Sequence, residues 1–186
     1  MKTFKYGEDY LNSSIAMAIA NSACQGLLTD ETISKINQSA QYVQEIVDAG
    51  KVVYGINTGF GPLCTTLISP QDTKKLQENI LKSHAVGVGE PINKELSKLM
   101  LILKVHALSK GFSGVQLTTV ERIIWHIQND VIPVVPKQGS VGASGDLAPL
   151  SHLFLPLIGL GKVWKDGKSV DAASVLQEFG MEPIQL

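Results

Sequence analysis

The chain is organised around one stretch, Gly139-Ser140-Val141-Gly142-Ala143-Ser144-Gly145-Asp146-Leu147-Ala148-Pro149. It lies between a β-type run at residues 131–135 and an apolar segment at residues 147–160 whose pattern predicts a helix. The four residues between Val141 and Asp146 are all small, and two of them are glycines. Because glycine reaches backbone angles that other residues avoid, the pattern indicates a turn that needs backbone freedom more than side-chain bulk.

Two known chemistries of glycine-rich turns do not fit these residues. A phosphate-binding loop ends in Gly-Lys-Ser or Gly-Lys-Thr, whereas here Gly145 is followed by Asp146, whose carboxylate would repel a phosphate. A nucleophile elbow requires Gly-x-Ser-x-Gly, and the glycine after Ser144 comes one position too early. A third possibility is that the backbone itself reacts.

Residues 143–145 have the composition that a backbone cyclisation needs. The amide nitrogen of Gly145 has no side chain beside it and can attack the carbonyl carbon of Ala143, which closes a five-membered ring. Loss of one water from that carbonyl and of the Ser144 hydroxyl as a second water leaves an exocyclic methylene, an electrophile that no ordinary side chain supplies. Glycine gives access and strained backbone angles, serine gives a leaving hydroxyl, and alanine causes little crowding.

The run from Gly139 to Leu150 resembles the cofactor-forming loop of the aromatic amino acid ammonia-lyases. In that family Ala-Ser-Gly cyclises to methylidene-imidazolone (MIO), so the resemblance implies that Ala143, Ser144 and Gly145 form this cofactor. The structural alternative is a glycine-rich turn that caps a helix. A match of this length favours the family, although a motif remains a hypothesis until its structural context is known.

Composition places the chain among ordinary globular proteins. Its 186 residues are enough for one domain with a sizeable core, and we expect a single domain over residues 1–186. The 16 basic and 17 acidic residues nearly balance, which gives no electrostatic reason to expect nucleic acid or an anionic membrane as a partner. No apolar run approaches the roughly 20 residues of a membrane span, and no signal peptide follows Met1, so we expect a cytoplasmic protein.

Hydrophobic periodicity and capping residues predict a mainly α-helical fold with minor β-hairpin content. Thr29 is the expected N-cap of a helix that ends before Gly50, and Asp166-Gly167 is the expected turn of a hairpin. In the helix from residue 93 to 109 apolar residues cover almost every face, which predicts a position inside a bundle. The other expected helices span residues 10–21, 70–83, 116–129 and 147–160, and a short one follows Asp171 to about residue 179.

The resemblance also implies what the chain does not contain. The lyases that it resembles run to several hundred residues, so the chain corresponds to about the first third of a family member and looks truncated at its C-terminal end. The long helices of the family's central bundle would be missing. The family's active sites are assembled from several subunits, so a homotetramer is expected for the full-length enzyme.

Tyr54 is the candidate for proton transfer. The segment Tyr54-Gly55-Ile56-Asn57-Thr58-Gly59-Phe60-Gly61 resembles the family's tyrosine loop, whose phenol is taken as an acid/base group in the elimination. A free phenol has a pKa of about 10, so a basic role near neutral pH requires a site that favours the phenolate. A lone tyrosine in a loop carries no such implication by itself.

Ser83 and His84 are the candidates for recognising the substrate ring. A single histidine at a helix end is more often solvated or packed than catalytic. In the related lyases, however, this dipeptide resembles a ring selector, with Phe-Leu in phenylalanine enzymes, His-Leu in tyrosine enzymes and Ser-His in histidine enzymes. The pair therefore favours histidine as the small-molecule substrate, with urocanate and ammonia as products, because an imidazole needs polar partners in its pocket.

Other groups of residues give little indication of a metal site, a disulfide or a second catalytic site. The four histidines lack metal-binding spacing, and Cys24 and Cys64 form no framework, so we expect no metal and no disulfide. A hydrolytic triad of Ser144, Asp146 and His152 has no spacing that brings the three side chains together. Arg122 is the only arginine, and its position in an amphipathic helix predicts that it points to solvent rather than to a substrate carboxylate.

The sequence thus predicts the MIO-bearing part of an ammonia-lyase, most like those acting on histidine. Two alternatives stay open: a tyrosine or phenylalanine lyase or aminomutase, and a non-catalytic helical interaction fragment. The family's carboxylate-binding arginine and further catalytic residues would lie beyond this chain. We therefore expect little or no activity from the isolated 186 residues, and no ring formation where the surrounding structure is missing.

Overall fold

The computed structural model describes residues 2–59, 68 and 70–185. The expected fold class, mainly α with small sheets, is confirmed. Its helices are α1 (Ser13–Ala20), α2 (Asp30–Asp48), α3 (Pro70–His84), α4 (Lys94–Leu108), α5 (Leu117–Gln128), α6 (Leu147–Phe154) and α7 (Ala172–Glu178). Its strands are β1 (Lys2–Lys5), β2 (Cys24–Leu27), β3 (Val88–Pro91), β4 (Ile132–Pro133), β5 (Pro136–Gln138), β6 (Lys162–Lys165) and β7 (Lys168–Asp171).

The helix boundaries follow the capping residues. The side chain of Thr29 accepts a hydrogen bond from the amide of Thr32 at the start of α2, and Gly50 just after its end has φ +64°. The first helix begins later than predicted, at Ser13 rather than at residue 10, because Asn12 caps it by accepting from the amide of Ile15.

The core lies between α4 and α5. Its fully buried side chains include Leu101, Ile102 and Val105 of α4 and Val120 and Ile123 of α5. The expectation that α4 lies inside a bundle holds for this face of the helix. On another face Leu96 and Leu103 are about half exposed, with 49% and 56% of their surfaces accessible.

The sheets are short. The predicted hairpin joins β6 to β7, and its two turn residues, Asp166 and Gly167, both have positive φ as a type I′ turn requires. Antiparallel β4 pairs with β6 to complete a three-stranded sheet. The sequence did not predict the parallel pair of β1 with β2, nor the antiparallel pair of β3 with β5, because these strands are short and far apart along the chain.

Two expectations about the chain were wrong. The helix expected over residues 147–160 ends at Phe154 and continues as a 3₁₀ turn at Leu155–Ile158, because Pro156 cannot donate the next helical hydrogen bond. Arg122 does not simply point to solvent. Its Nη2 donates to the carbonyl of Glu182 at 2.8 Å, its Nη1 is buried, and this burial lowers the pKa of the guanidinium.

The structure bears on one of the two cysteines and on the expectation that no segment spans a membrane. Cys24 is buried with a free thiol, and Cys64 lies outside the described residues. Among the helices in the described part of the chain, none is long and apolar enough to cross a membrane.

A buried histidine makes the stability of this fold depend on pH. His126 is 1% exposed, its Nδ1 lies 2.8 Å from the carbonyl of Val131, and burial lowers its pKa to about 4. Because the carbonyl can only accept, Nδ1 carries the proton, and the described residues offer no partner for the buried Nε2. The folded state therefore holds this imidazole neutral.

We predict that acid destabilises the fold through His126. The unfolded chain binds a proton near pH 6.5 and the folded chain only near pH 4, so the free energy of unfolding falls as the pH drops through this window. The loss from this residue is about 3 kcal/mol by pH 4. Urea denaturation at several pH values measures it. His126→Asn keeps a donor for Val131 but cannot titrate, so its pH dependence should be flatter; an equal slope in both proteins would contradict the prediction.

Candidate active site

The Ala-Ser-Gly tripeptide forms a tight turn. Residues Gly142–Ser144 make one turn of 3₁₀ helix, in which the amide of Ser144 donates to the carbonyl of Val141 at 3.0 Å. The amide of Gly145 donates to the carbonyl of Gly142 at 3.1 Å. The segment from Gly139 to Asp146, called the 139–146 loop below, is therefore already bent at the residues whose cyclisation the sequence suggests.

Backbone angles at the end of this turn favour glycine. Gly145 has φ +80° and ψ 27°, and Asp146 follows with φ +60° and ψ 42°. Two consecutive left-handed residues are uncommon, and one of them here has a side chain. Asp146 begins α6 without capping it, and its Oδ1 accepts from the hydroxyl of Ser140 at 2.5 Å instead. This hydrogen bond closes the loop across its two ends.

The 139–146 loop is open to its surroundings. All residues from 137 to 145 are exposed, and a Cβ built on Gly142 or Gly145 would meet no atom within 4 Å. Gly145 is therefore required by its positive φ rather than by crowding. The Ser144 hydroxyl donates to the carbonyl of Val141 at 2.8 Å and otherwise faces this open space.

Strand β5 anchors the loop to the turn that follows α3. Val88 pairs with Gln138, and the amide of Ile92 donates to the carbonyl of Val135 at 2.9 Å. Beyond the last pair the two backbones come closer still. A Cβ on Gly139, which has φ +131°, would lie only 2.9 Å from Cα of Gly87, so this approach requires glycine at position 139.

A histidine of α6 fixes the same contact. Nε2 of His152 accepts a hydrogen bond from the amide of Gly87 at 3.0 Å. An imidazole nitrogen accepts only when it carries no proton, so His152 is neutral with its proton on Nδ1. Burial lowers its pKa, in agreement with this state. The sequence offers His152 only as a member of a hydrolytic triad, and no residue pattern in it indicates the bond to Gly87.

Ser83 and His84 end helix α3, next to this contact. Nδ1 of His84 lies 2.9 Å from the carbonyl of Ile80, and the Ser83 hydroxyl donates to the same carbonyl at 3.2 Å. Because a carbonyl only accepts, Nδ1 of His84 carries a proton. Its Nε2 has no hydrogen-bond partner among residues 2–59, 68 and 70–185, and is free to bind another molecule.

A short turn leads from His84 to Gly87. The amide of Val86 donates to the carbonyl of His84 at 2.8 Å, and the amide of Gly87 is held by His152. We call residues 84–87 the His84 turn. The predicted ring selector and the predicted cofactor loop are thus joined by hydrogen bonds and by a close backbone approach, although they lie far apart in sequence.

Tyr54 lies on a separate loop and is 62% exposed. This loop is organised by Asn57, which is 3% exposed: its Oδ1 accepts from the amide of Val53 at 2.9 Å, and its Nδ2 donates to the carbonyl of Lys51 at 2.7 Å. The loop's predicted continuation at Phe60 and Gly61 lies outside the described residues.

The geometry argues against the hydrolytic triad. The Ser144 hydroxyl is directed to the carbonyl of Val141, Asp146 accepts from Ser140, and Nε2 of His152 is occupied by Gly87. Each member of the supposed triad is therefore bonded elsewhere. Within the described residues, no group of three or more histidine, cysteine, aspartate or glutamate side chains is placed to hold a metal ion.

Comparison with known proteins gives a consistent result. Residues 11–186 match the family model described as aromatic amino acid lyase. A histidine ammonia-lyase from Streptococcus pyogenes serotype M5 (strain Manfredo) is 40% identical over 176 residues, which is 95% of this chain and 34% of that protein. One from Shewanella oneidensis is 48% identical over 159 residues, 86% of this chain and 31% of that protein.

Solved structures share the fold. Histidine ammonia-lyase from Trypanosoma cruzi is 36% identical with a TM-score of 0.89, over 100% of this chain and 36% of that one. Tyrosine aminomutase from Streptomyces globisporus is 30% identical with a TM-score of 0.91, over 99% of this chain and 34% of that one. The chain spans about a third of the length of the relatives that it matches.

The close approach of Gly87 and Gly139 predicts a sharp difference between two glycines. Gly139→Ala should destabilise the chain by about 1–3 kcal/mol, because it adds a methyl group against the backbone of Gly87 at an unfavourable φ. Gly142→Ala, in the same loop but with open space around it, should stay within about 0.5 kcal/mol. Urea denaturation of both variants measures the two changes in the free energy of unfolding. Equal losses of stability would show that the close approach to Gly87 is not what requires glycine at position 139.

Proposed function

Because the chain belongs to the aromatic amino acid lyase family, we propose that it carries the cofactor-forming loop and the ring-recognition residues of an enzyme that eliminates ammonia from L-histidine to give urocanate. The observation that carries this proposal is the placement of Ser83 and His84 beside the 139–146 loop, through the contact of Gly87 with Gly139 and His152. The names and identities of the histidine ammonia-lyase relatives support the same substrate.

The residues at 143–145 fit an MIO precursor. The turn already brings the backbone of Ala143 near that of Gly145, and the open space around Gly142 and Gly145 leaves room for a ring. Closure joins the nitrogen of Gly145 to the carbonyl carbon of Ala143 and releases two waters, one from that carbonyl and one that contains the Ser144 oxygen. When formed, the group supplies an electrophile that activates the amino acid for loss of ammonia.

His84 is assigned to the substrate ring. With its Nδ1 directed to the carbonyl of Ile80, its Nε2 is the ring nitrogen left for a ligand, and an Nε2 that carries no proton accepts from the N–H of another imidazole. The adjacent Ser83 hydroxyl is exposed, and because its proton is directed to the carbonyl of Ile80 its oxygen is left to accept. A phenyl ring would leave these polar groups without partners, and that costs binding free energy.

Tyr54 is assigned to proton transfer. Its loop is held by two side-chain hydrogen bonds of Asn57, and Tyr54 is 62% exposed. A positioned phenol can take or deliver a proton at the β-carbon of the substrate, provided that the complete site stabilises the phenolate.

We infer that the substrate carboxylate is bound by an arginine outside this chain. Arg122 is the only arginine in the sequence, and it is bonded to the carbonyl of Glu182. We infer from the family resemblance that the carboxylate-binding arginine and the further catalytic residues lie on later segments and on other subunits, and that the full-length enzyme is a cytoplasmic homotetramer. The tyrosine and phenylalanine enzymes are the alternative, and the tyrosine aminomutase fold keeps them open.

The isolated 186-residue chain should be inactive and unmodified. Residues 139–145 of the loop are exposed and the Gly145 amide is hydrogen-bonded to the carbonyl of Gly142, so none of the described residues compresses Gly145 onto Ala143. Intact mass should equal that of the plain sequence, and Ser144→Ala should differ from it only by one oxygen. A loss of two waters, roughly 36 Da, in the wild-type chain but not in the variant would contradict this prediction.

The substrate assignment is tested in the full-length protein. We expect turnover of L-histidine in preference to L-tyrosine and L-phenylalanine, followed by the absorbance of each product. His84→Leu should lower kcat/KM for histidine about tenfold or more, since a hydrogen bond to the substrate is lost. His84→Gln, which keeps a polar end, should lose less. Preference for tyrosine or phenylalanine would favour the alternative, and no turnover of any of the three would favour a non-catalytic role.

A further inference from the structure

His152 makes a hydrogen bond whose two ends belong to different parts of the candidate site. It sits in α6, which begins directly after the 139–146 loop. Its Nε2 reaches back to the amide of Gly87, which closes the His84 turn. One side chain thus connects the element that follows the predicted electrophile to the element that carries the predicted ring selector.

The surroundings of this bond leave little freedom to its partners. A Cβ on Gly87 would lie 3.1 Å from both Nε2 and Cδ2 of His152 and from the carbonyl oxygen of Gln138. The imidazole therefore packs against the Gly87 backbone as well as bonding to it. On the other side Gly139 touches Gly87, so the turn is held between β5 and α6.

From this geometry we propose that His152 is a positioning residue, which sets the His84 turn against the 139–146 loop by accepting the hydrogen bond of the Gly87 amide. The proposal rests on the function proposed above, in which His84 meets the substrate ring and the loop supplies the electrophile. His152 need not touch the substrate. It fixes the distance between His84 and the 139–146 loop, which must both contact the same amino acid substrate. A small error in this distance lowers substrate binding and the reaction rate.

The chain offers a matched control for this bond. His106 in α4 also accepts a hydrogen bond from a glycine amide: its Nδ1 lies 3.2 Å from the nitrogen of Gly7. His106→Leu therefore removes the same kind of interaction, from a partly buried imidazole, at a place that involves neither the His84 turn nor the 139–146 loop.

The bond itself is tested by hydrogen exchange of individual amides, measured by NMR. In His152→Leu the Gly87 amide should exchange at least about tenfold faster than in the wild type, and amides of the 139–146 loop should speed up with it. His152→Gln offers an amide oxygen as acceptor and should keep the wild-type rate within about threefold. Amides of the buried residues Ile102 and Ile123 report whether each variant is folded.

Position is tested by the affinity for L-histidine, measured by calorimetry on full-length protein that carries Ser144→Ala, which lacks the leaving hydroxyl and so cannot turn the amino acid over. In this background His152→Leu should raise the Kd about tenfold, while His152→Gln and His106→Leu should stay within about threefold of the parent protein. An unchanged Gly87 exchange rate in His152→Leu overturns the proposal, and so does a Kd that is unchanged while the amide is released. A parent protein that binds no L-histidine overturns the proposed substrate instead, and the hydrogen exchange of His152→Leu compared with His152→Gln then tests the role of His152 alone.

Discussion

The approach of two glycine backbones, Gly87 and Gly139, is the contact on which the candidate site depends. Strands β3 and β5 are too short to define a position by themselves, with Val88 paired to Gln138 and Pro91 to Pro136. It is the absence of side chains at the two glycines that lets the chains continue past the ladder and stay in contact. As a result the His84 turn after α3 meets the 139–146 loop before α6, and every predicted site residue except Tyr54 lies either at the end of α3 or in this loop.

The local features of this fold could be predicted from sequence, and the long-range ones could not. Thr29, Gly50 and the Asp166-Gly167 turn each act on their own neighbours, so their residue types are sufficient evidence. The hydrogen bond from the Gly87 amide to His152 joins residues 65 positions apart, and a glycine or a histidine in the sequence does not indicate which residue it will contact. Arg122 was misjudged for the same reason, because its partner at Glu182 belongs to an irregular segment with no periodic signal.

The histidines of this chain are used mainly as neutral hydrogen-bonding groups. His106 and His152 each accept from a glycine amide, and His126 donates to the carbonyl of Val131. Burial lowers the pKa of all three, which keeps the imidazoles uncharged and able to play these roles. Each of the four histidines, His84 included, engages one ring nitrogen in a hydrogen bond to the backbone of the described residues. His84 differs in its place, because it lies at the candidate site.

Exposure of the 139–146 loop is itself informative about the complete enzyme. Around it lie exposed apolar side chains at Val86, Val88, Val141 and Leu147, each with at least 42% of its surface accessible. An electrophile needs protection from water, and an apolar rim around an exposed loop marks a surface that another segment covers. The chain spans about a third of the length of the relatives that it matches, and under the function proposed above we infer that a later segment or a second subunit provides this cover. The covering segment can also press the Gly145 nitrogen away from the carbonyl of Gly142 and towards the carbonyl carbon of Ala143. It can carry as well the group that binds the substrate carboxylate, which Arg122 does not provide. Formation of the electrophile and completion of the site would then depend on one event, the burial of this loop.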